Sequence, residues 1–232
     1  MRMFKRAPRI GVALPRLVRL GLAAMLIIAP PAARAGAQVE EELSANVQNS
    51  LHRSVSDYPA PHLVFANDVE GLSWLADMSS RLAAKISDWP TRRDFLVTVQ
   101  YEASRAGLDP QLVLGLIQHE SNFRKYAMSS AQARGYMQVM PFWVRQIGNS
   151  DHDLFNLRTN LRYGCTILRY YLDRENGDLY RALGRYNGSL GRAEYPNAVL
   201  ALMQRYWTWH PSSAGGGGAE ASRLGVNAVQ AR

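Results

Sequence analysis

The stretch that most constrains the fold is DPQLVLGLIQHES, residues 109–121. Asp109 is a favoured helix cap, and Pro110 suits the first helical position, where its missing N–H costs nothing. From there Val113, Leu116, Ile117 and Glu120 recur at three- and four-residue steps, so they share one helix face. The helix is expected to end at about Ser121. Three more helices follow by the same reasoning. Pro141 can open one carrying Phe142, Trp143 and Val144. Leu157, Leu161, Leu168 and Leu172 form the stripe of another, with Cys165 on it as a small buried residue. Asp178 caps a fourth, which places Leu179, Ala182, Leu183 and Tyr186 on one face and ends at Gly188. No run alternates apolar and polar residues as a half-buried strand would. The fold class is mainly α.

The helical core is expected over 89–208, opened by the boundary Asp88-Trp89-Pro90-Thr91. Before it, residues 36–88 read as a polar helical extension. Val39, Leu43, Val47 and Leu51 step by four, as do Leu75 or Met78, Leu82 and Ile86, with Tyr58-Pro59-Ala60-Pro61 breaking the run. After Pro211 the chain turns into Ser-Ser-Ala-Gly-Gly-Gly-Gly, so 209–232 reads as a flexible tail.

The net charge of +8 suggests nucleic acid until it is located. Seven basic residues and no acid precede Gly36, and removing them leaves +1. A nucleic-acid partner therefore loses its support. Residues 1–35 read instead as an export signal. A basic stretch leads into the apolar Leu20–Ala29, then Pro30-Pro31 and the small-residue pattern Ala33-Arg34-Ala35. The apolar part is well short of the ~20 residues that span a bilayer, so no stable membrane anchor is expected. Localisation is expected in the periplasm or outside the cell. The lone cysteine excludes an intramolecular disulfide and a cysteine metal cluster.

Glu120 is the residue this pattern does not explain as packing. It points where Val113, Leu116 and Ile117 point, in the last turn of its helix. Desolvation by that face and the negative end of the helix dipole both raise a carboxyl pKa. The dipole supplies only about 0.3–1 kcal/mol, so a large shift must come from desolvation. A carboxyl protonated near neutral pH can serve as a general acid. The alternative is that the helix ends here and Glu120 swings into water. His119-Glu120 begins an H-E-x-x-H pattern, but the fifth position is Phe123, so the zinc pair is missing and no metal site is assigned. S-x-x-K and G-x-S-x-G signatures are absent from the chain.

Glu120-Ser121, then Gly135-Tyr136-Met137-Gln138 with Pro141, then Tyr186-Asn187-Gly188, taken in order, resemble the soluble lytic transglycosylase family. That family's SLT domain has a lysozyme-like fold and cuts bacterial peptidoglycan. The resemblance runs from about Trp89 to Trp207. It implies that Glu120 is the single catalytic acid/base. It further implies that Ser121, Met137, Gln138, Tyr186 and Asn187 bind substrate, the Tyr186 hydroxyl lying near the glutamate. Gly135, Pro141, Asn160 and Gly164 are structural, Gly135 also allowing close approach of the sugar. Gln132 stands where a glycine is common and Tyr136 where a leucine is, which leaves the acid intact and alters cleft shape.

The resemblance implies cleavage between N-acetylmuramic acid and N-acetylglucosamine with closure of a 1,6-anhydro ring, with peptidoglycan glycan strands as partner and no cofactor. Two rivals stand beside it. A goose-type lysozyme would hydrolyse with water. A weakly active wall-binding accessory of a secretion apparatus could dock a protein through the extension.

Overall fold

The computed structural model describes residues 38–56 and 59–210. The export signal and residues 211–232 of the tail lie outside the described residues. The described residues all fall within one compact unit, Arg34–Arg232. The elements are α1 (Ala45–Ser56), α2 (Asp68–Leu82), α3 (Trp89–Arg105), α4 (Pro110–Ser121), α5 (Phe142–Ile147), α6 (Leu157–Arg174), α7 (Leu179–Asn187) and α8 (Glu194–Leu202). A π-helical turn, Met203–Trp207, follows directly. Among the described residues there is no strand. Two isolated antiparallel bridges, Met128 to Arg134 and Arg134 to Val139, pin the long connection between α4 and α5. No described helix is long and apolar enough to cross a membrane.

Local chemistry sets most helix starts. The side chains of Asn67, Asp88, Asp109, Asn156 and Asp178 each accept from a backbone N–H of the first turn, at 2.8–3.2 Å. Each satisfies a donor that the helix itself cannot. Pro90 and Pro110 sit in the first turns of α3 and α4.

α4 is the central helix. Leu112 to Ile117 are all buried, as are Glu120 and Ser121, and a helix covered nearly all round belongs in the middle of a fold. It packs chiefly on α8 and the π turn, and on α3. Gly115 allows this: a Cβ there would lie 2.9 Å from the backbone nitrogen of Met203. The end of α4 is equally determined. Asn122 and Phe123 both take left-handed backbone angles, φ 49° and 64°. Asparagine tolerates that conformation, whereas phenylalanine does so at a cost. Phe123 is held there by its ring, which packs edge-on against Phe95 at 5.8 Å and Trp207 at 5.3 Å.

The extension is built into the same core. Leu51 and Val55 of α1, and Trp74, Leu75, Met78 and Leu82 of α2, are buried with the residues of α3 to α8. Polar contacts add to this: Trp143 donates to Gln38 at 2.9 Å, and Gln100 both donates to and accepts from the backbone of Val64. Three sequence expectations need correction. Val39 and Leu43 precede α1 rather than joining its stripe, because Glu40 and Glu41 are drawn to Arg145 and Arg174. Ile86 lies beyond α2, where the Arg92 guanidinium takes the carbonyls of Ile86 (2.6 Å) and Ser87 (2.9 Å). Trp209, assigned to the tail, packs on Phe65 with ring centres 6.0 Å apart, and its N–H reaches Gln111.

Candidate active site

The last turn of α4 carries Glu120 inward, 6% exposed. Its Oε1 accepts a 2.5 Å hydrogen bond from the hydroxyl of Tyr195 in the first turn of α8. Its Oε2 is buried and has no hydrogen-bond partner among the described residues. Burial pushes the carboxyl up to about 8 from an ordinary 4.5, against the opposing pull of the Tyr195 hydrogen bond. Desolvation thus dominates, as a carboxylate stripped of water requires. Burial, then the nearby Glu120 and Tyr186, hold the Tyr195 phenol well above its usual range. Tyr195 therefore remains a donor when Glu120 changes state. His119 packs edge-on against the Tyr195 ring at 4.9 Å, and its own burial lowers its basicity.

A second wall stands on α6 and α7. Asn160 Oδ1 accepts from the Met137 N–H at 2.8 Å, while its amide donates to the carbonyls of Arg134 (2.8 Å) and Leu154 (2.9 Å). The Tyr186 hydroxyl donates to the Met137 carbonyl at 2.8 Å, so both backbone groups of Met137 are held. The Gln138 amide ties down the carbonyls of Ala127 and Gly135. Gly164 leaves room for the Met137 side chain, whose sulfur would lie 2.3 Å from an added Cβ. Gly135 has φ 74°, and a Cβ on it would lie 2.5 Å from Asn160 Nδ2 and from the Leu154 carbonyl. The glycine is thus required by this clamp. Pro141 occupies the cap position of α5 without a side-chain hydrogen bond.

The structure shows what the expected residues touch within the protein. Ser121, Met137, Gln138, Tyr186 and Asn187 are all buried, as Glu120 is. The Ser121 hydroxyl bonds the Ile117 carbonyl of its own helix. The hydroxyl on Glu120 belongs to Tyr195, not Tyr186. Sequence reasoning missed Tyr195 because α8 starts at Ala193 without a side-chain cap. The available signal was Tyr195-Pro196, since proline favours a first helical turn. Tyr136 is also buried, its ring 5.0 Å from that of Phe95. Gln132 takes φ 70°, the conformation a glycine would adopt freely.

Two other carboxylates, Glu102 and Glu175, are engaged by arginines. Glu102 is the second buried carboxylate among the described residues. It pairs with Arg162 at 2.9 Å, with Arg158 at 3.7 Å and Arg105 at 3.8 Å nearby. The Glu175 carboxylate lies between Arg181 and Arg185, which lower its pKa. Among the described residues no group of three or more His, Cys, Asp or Glu could hold a metal ion.

A mainly helical domain with one buried, proton-holding glutamate at the end of its central helix defines the class. Residues 98–198 match the Transglycosylase SLT domain. The chain is 33% identical to a transglycosylase of Enterobacteria phage PRD1, over 44% of this chain and 40% of that protein. It is 47% identical to the membrane-bound lytic murein transglycosylase C of Haemophilus influenzae, over 52% of this chain and 42% of the relative. A protein of the same name from Mannheimia succiniciproducens is 39% identical over 36% and 21%. The chain spans less than half the length of each of these relatives.

Proposed function

We propose that this chain is a peptidoglycan lytic transglycosylase acting outside the cytoplasm, with Glu120 as its acid and base. The observation that carries the reading is the Glu120 carboxyl itself: one oxygen is fixed by Tyr195, the other has no partner among the described residues, and burial pushes its pKa up to about 8. A carboxyl so held is protonated at neutral pH and can deliver its proton to a bound oxygen.

Glu120 gives that proton to the oxygen joining N-acetylmuramic acid to N-acetylglucosamine, and the bond from the muramoyl C1 to that oxygen breaks. The acetamido oxygen of the same sugar steadies the cationic carbon. The Glu120 carboxylate then takes the proton of the muramoyl 6-hydroxyl, whose oxygen bonds C1. The anhydro ring closes, the carboxyl is restored and no water is consumed. Tyr195 donates to Oε1 throughout. Ser121, Met137, Gln138, Tyr186 and Asn187 would form the substrate-binding part of the cleft. Hydrolysis by two carboxylates would need a second free acid about 5–9.5 Å away. The engagement of Glu102 and Glu175 with arginines supports ring closure over that alternative. For a protein partner, residues 36–88 offer Val69 and Leu72 of α2, 74% and 62% exposed.

The test is Glu120→Gln, which keeps shape while removing the transferable proton. Release of soluble fragments from purified sacculi should fall by about 10²-fold or more, with an unchanged circular dichroism spectrum. Activity close to wild type would place the acid elsewhere.

A further inference from the structure

Most described arginines face a carboxylate. Arg105, Arg158 and Arg162 share Glu102, and Arg181 and Arg185 share Glu175. The segment just after Glu120 is different. Arg124, Lys125 and Tyr126 follow one another, all exposed, and border a surface depression of about 570 Å³ with Met128. The Lys125 ammonium lies 5.1 Å from the Tyr126 ring, and that ring is 5.8 Å from Phe155. Arg134 covers Phe155 at 5.9 Å, and its Nε is buried without a hydrogen-bond partner among the described residues. No ion pair joins Arg124, Lys125 or Arg134 to a described carboxylate. Asp153, close in the chain, accepts from the Phe155 N–H.

This ledge is fastened to the candidate site on both sides. Arg124 Nε donates to the Ser121 carbonyl at 3.0 Å, one residue after Glu120. The Ala127 carbonyl accepts from Gly135 N at 2.9 Å and from Gln138 Nε2 at 3.1 Å, beside Met137. Two cations on aromatic rings, Lys125 and Arg134, with the Arg124 guanidinium beside them and no ion-paired acid among the described residues, suit an anionic ligand that also offers flat or apolar surface. A second basic depression near Arg205 is less open to a ligand, because Arg81 there is already bound to Asp77 and to the carbonyls of Tyr206 and Thr208.

We propose that the ledge formed by Arg124, Lys125, Tyr126, Arg134 and Phe155 binds the carboxylate-bearing peptide arm of the glycan strand. The chain would thereby prefer strands that keep their peptides over bare glycan. The inference rests on the function proposed above. In that substrate the peptide hangs from the muramoyl residue, the sugar whose C1 reacts. Its free carboxylates are the anions nearest the bond that Glu120 would break. The ledge is a specificity element and takes no part in proton transfer.

Equilibrium binding to the Glu120→Gln protein tests this without relying on turnover. The probes are the N-acetylglucosaminyl–N-acetylmuramoyl disaccharide bearing a tetrapeptide and the same disaccharide without peptide. The peptide-bearing probe should bind more tightly at low salt, and the advantage should shrink in 0.5 M NaCl. Lys125→Ala should reduce the advantage by up to roughly 5-fold, the upper range for one exposed ion pair. Lys125→Glu should reduce it further, and the position is exposed enough for both variants to fold. Equal affinity of the two probes, or an advantage unchanged in both variants, overturns the proposal. Failure of the wild type to release anhydro products from sacculi would overturn the function and leave this affinity ratio standing.

Discussion

Replacing Glu120 with glutamine should change the dependence of stability on pH as well as the rate. In the unfolded chain the glutamate loses its proton near 4.5, whereas in the folded protein it keeps it to about 8. Between those values the folded state binds more protons, so stability falls as pH rises. The sign follows from a raised folded pKa: the stabilising contribution is complete below pH 4.5 and is lost as pH climbs through 8. Each unit is worth about 1.4 kcal/mol, so from pH 5 to 8 the loss is about 2–4 kcal/mol. For a domain stable by ~5–15 kcal/mol this is a large share. Glutamine has no proton to lose and escapes the term. Urea unfolding of both proteins at pH 5, 6, 7 and 8 isolates it, since other titrating groups cancel in the difference. The glutamine variant should gain on the wild type as pH rises. A difference constant to within about 0.5 kcal/mol would mean that folded Glu120 is ionised at neutral pH, and would refute the argument from desolvation.

Two further outcomes follow from the geometry. Tyr195→Phe removes the hydrogen bond that favours the ionised form, so the basic limb of the kcat/KM profile should move to higher pH. The rate should also fall by about 10-fold as the carboxyl loses its anchor; a limb that stays in place or moves down would contradict this. Asn160→Ala strips partners from the Met137 N–H and from the carbonyls of Arg134 and Leu154, and should cost about 3–5 kcal/mol in urea unfolding.

What could be read from sequence was what local chemistry decides. Asp109-Pro110 and Asp178 announced their helices because a cap needs only its own first turn, whereas Asp88-Trp89-Pro90-Thr91 marked only the boundary at which α3 begins. The stripe from Val113 to Glu120 announced the buried acid for the same reason, since one helix face is set by spacing alone. Position 132 also showed in sequence, as a residue in place of glycine, and it proved to have a left-handed backbone. α8 was not announced, because Ala193 supplies no cap, and so Tyr195 went unseen. The start of α1 was misplaced because ion pairs to residues more than a hundred positions away hold Glu40 and Glu41. The choice between Tyr186 and Tyr195 as the partner of Glu120 was beyond motif reasoning. Both tyrosines are buried, and only the packing of α8 on α4, with α7 against α6 and α8, decides which hydroxyl reaches the carboxylate.

The most direct test of the central claim is the product. Purified sacculi digested in water enriched in oxygen-18, followed by mass analysis of the fragments, distinguishes the two fates of the muramoyl carbon. Ring closure by the 6-hydroxyl yields new ends one water lighter, without a reducing group and without label. That is the outcome expected if Glu120 acts as both acid and base. New reducing ends carrying oxygen-18 would contradict it and show that water, activated by another group, is the nucleophile.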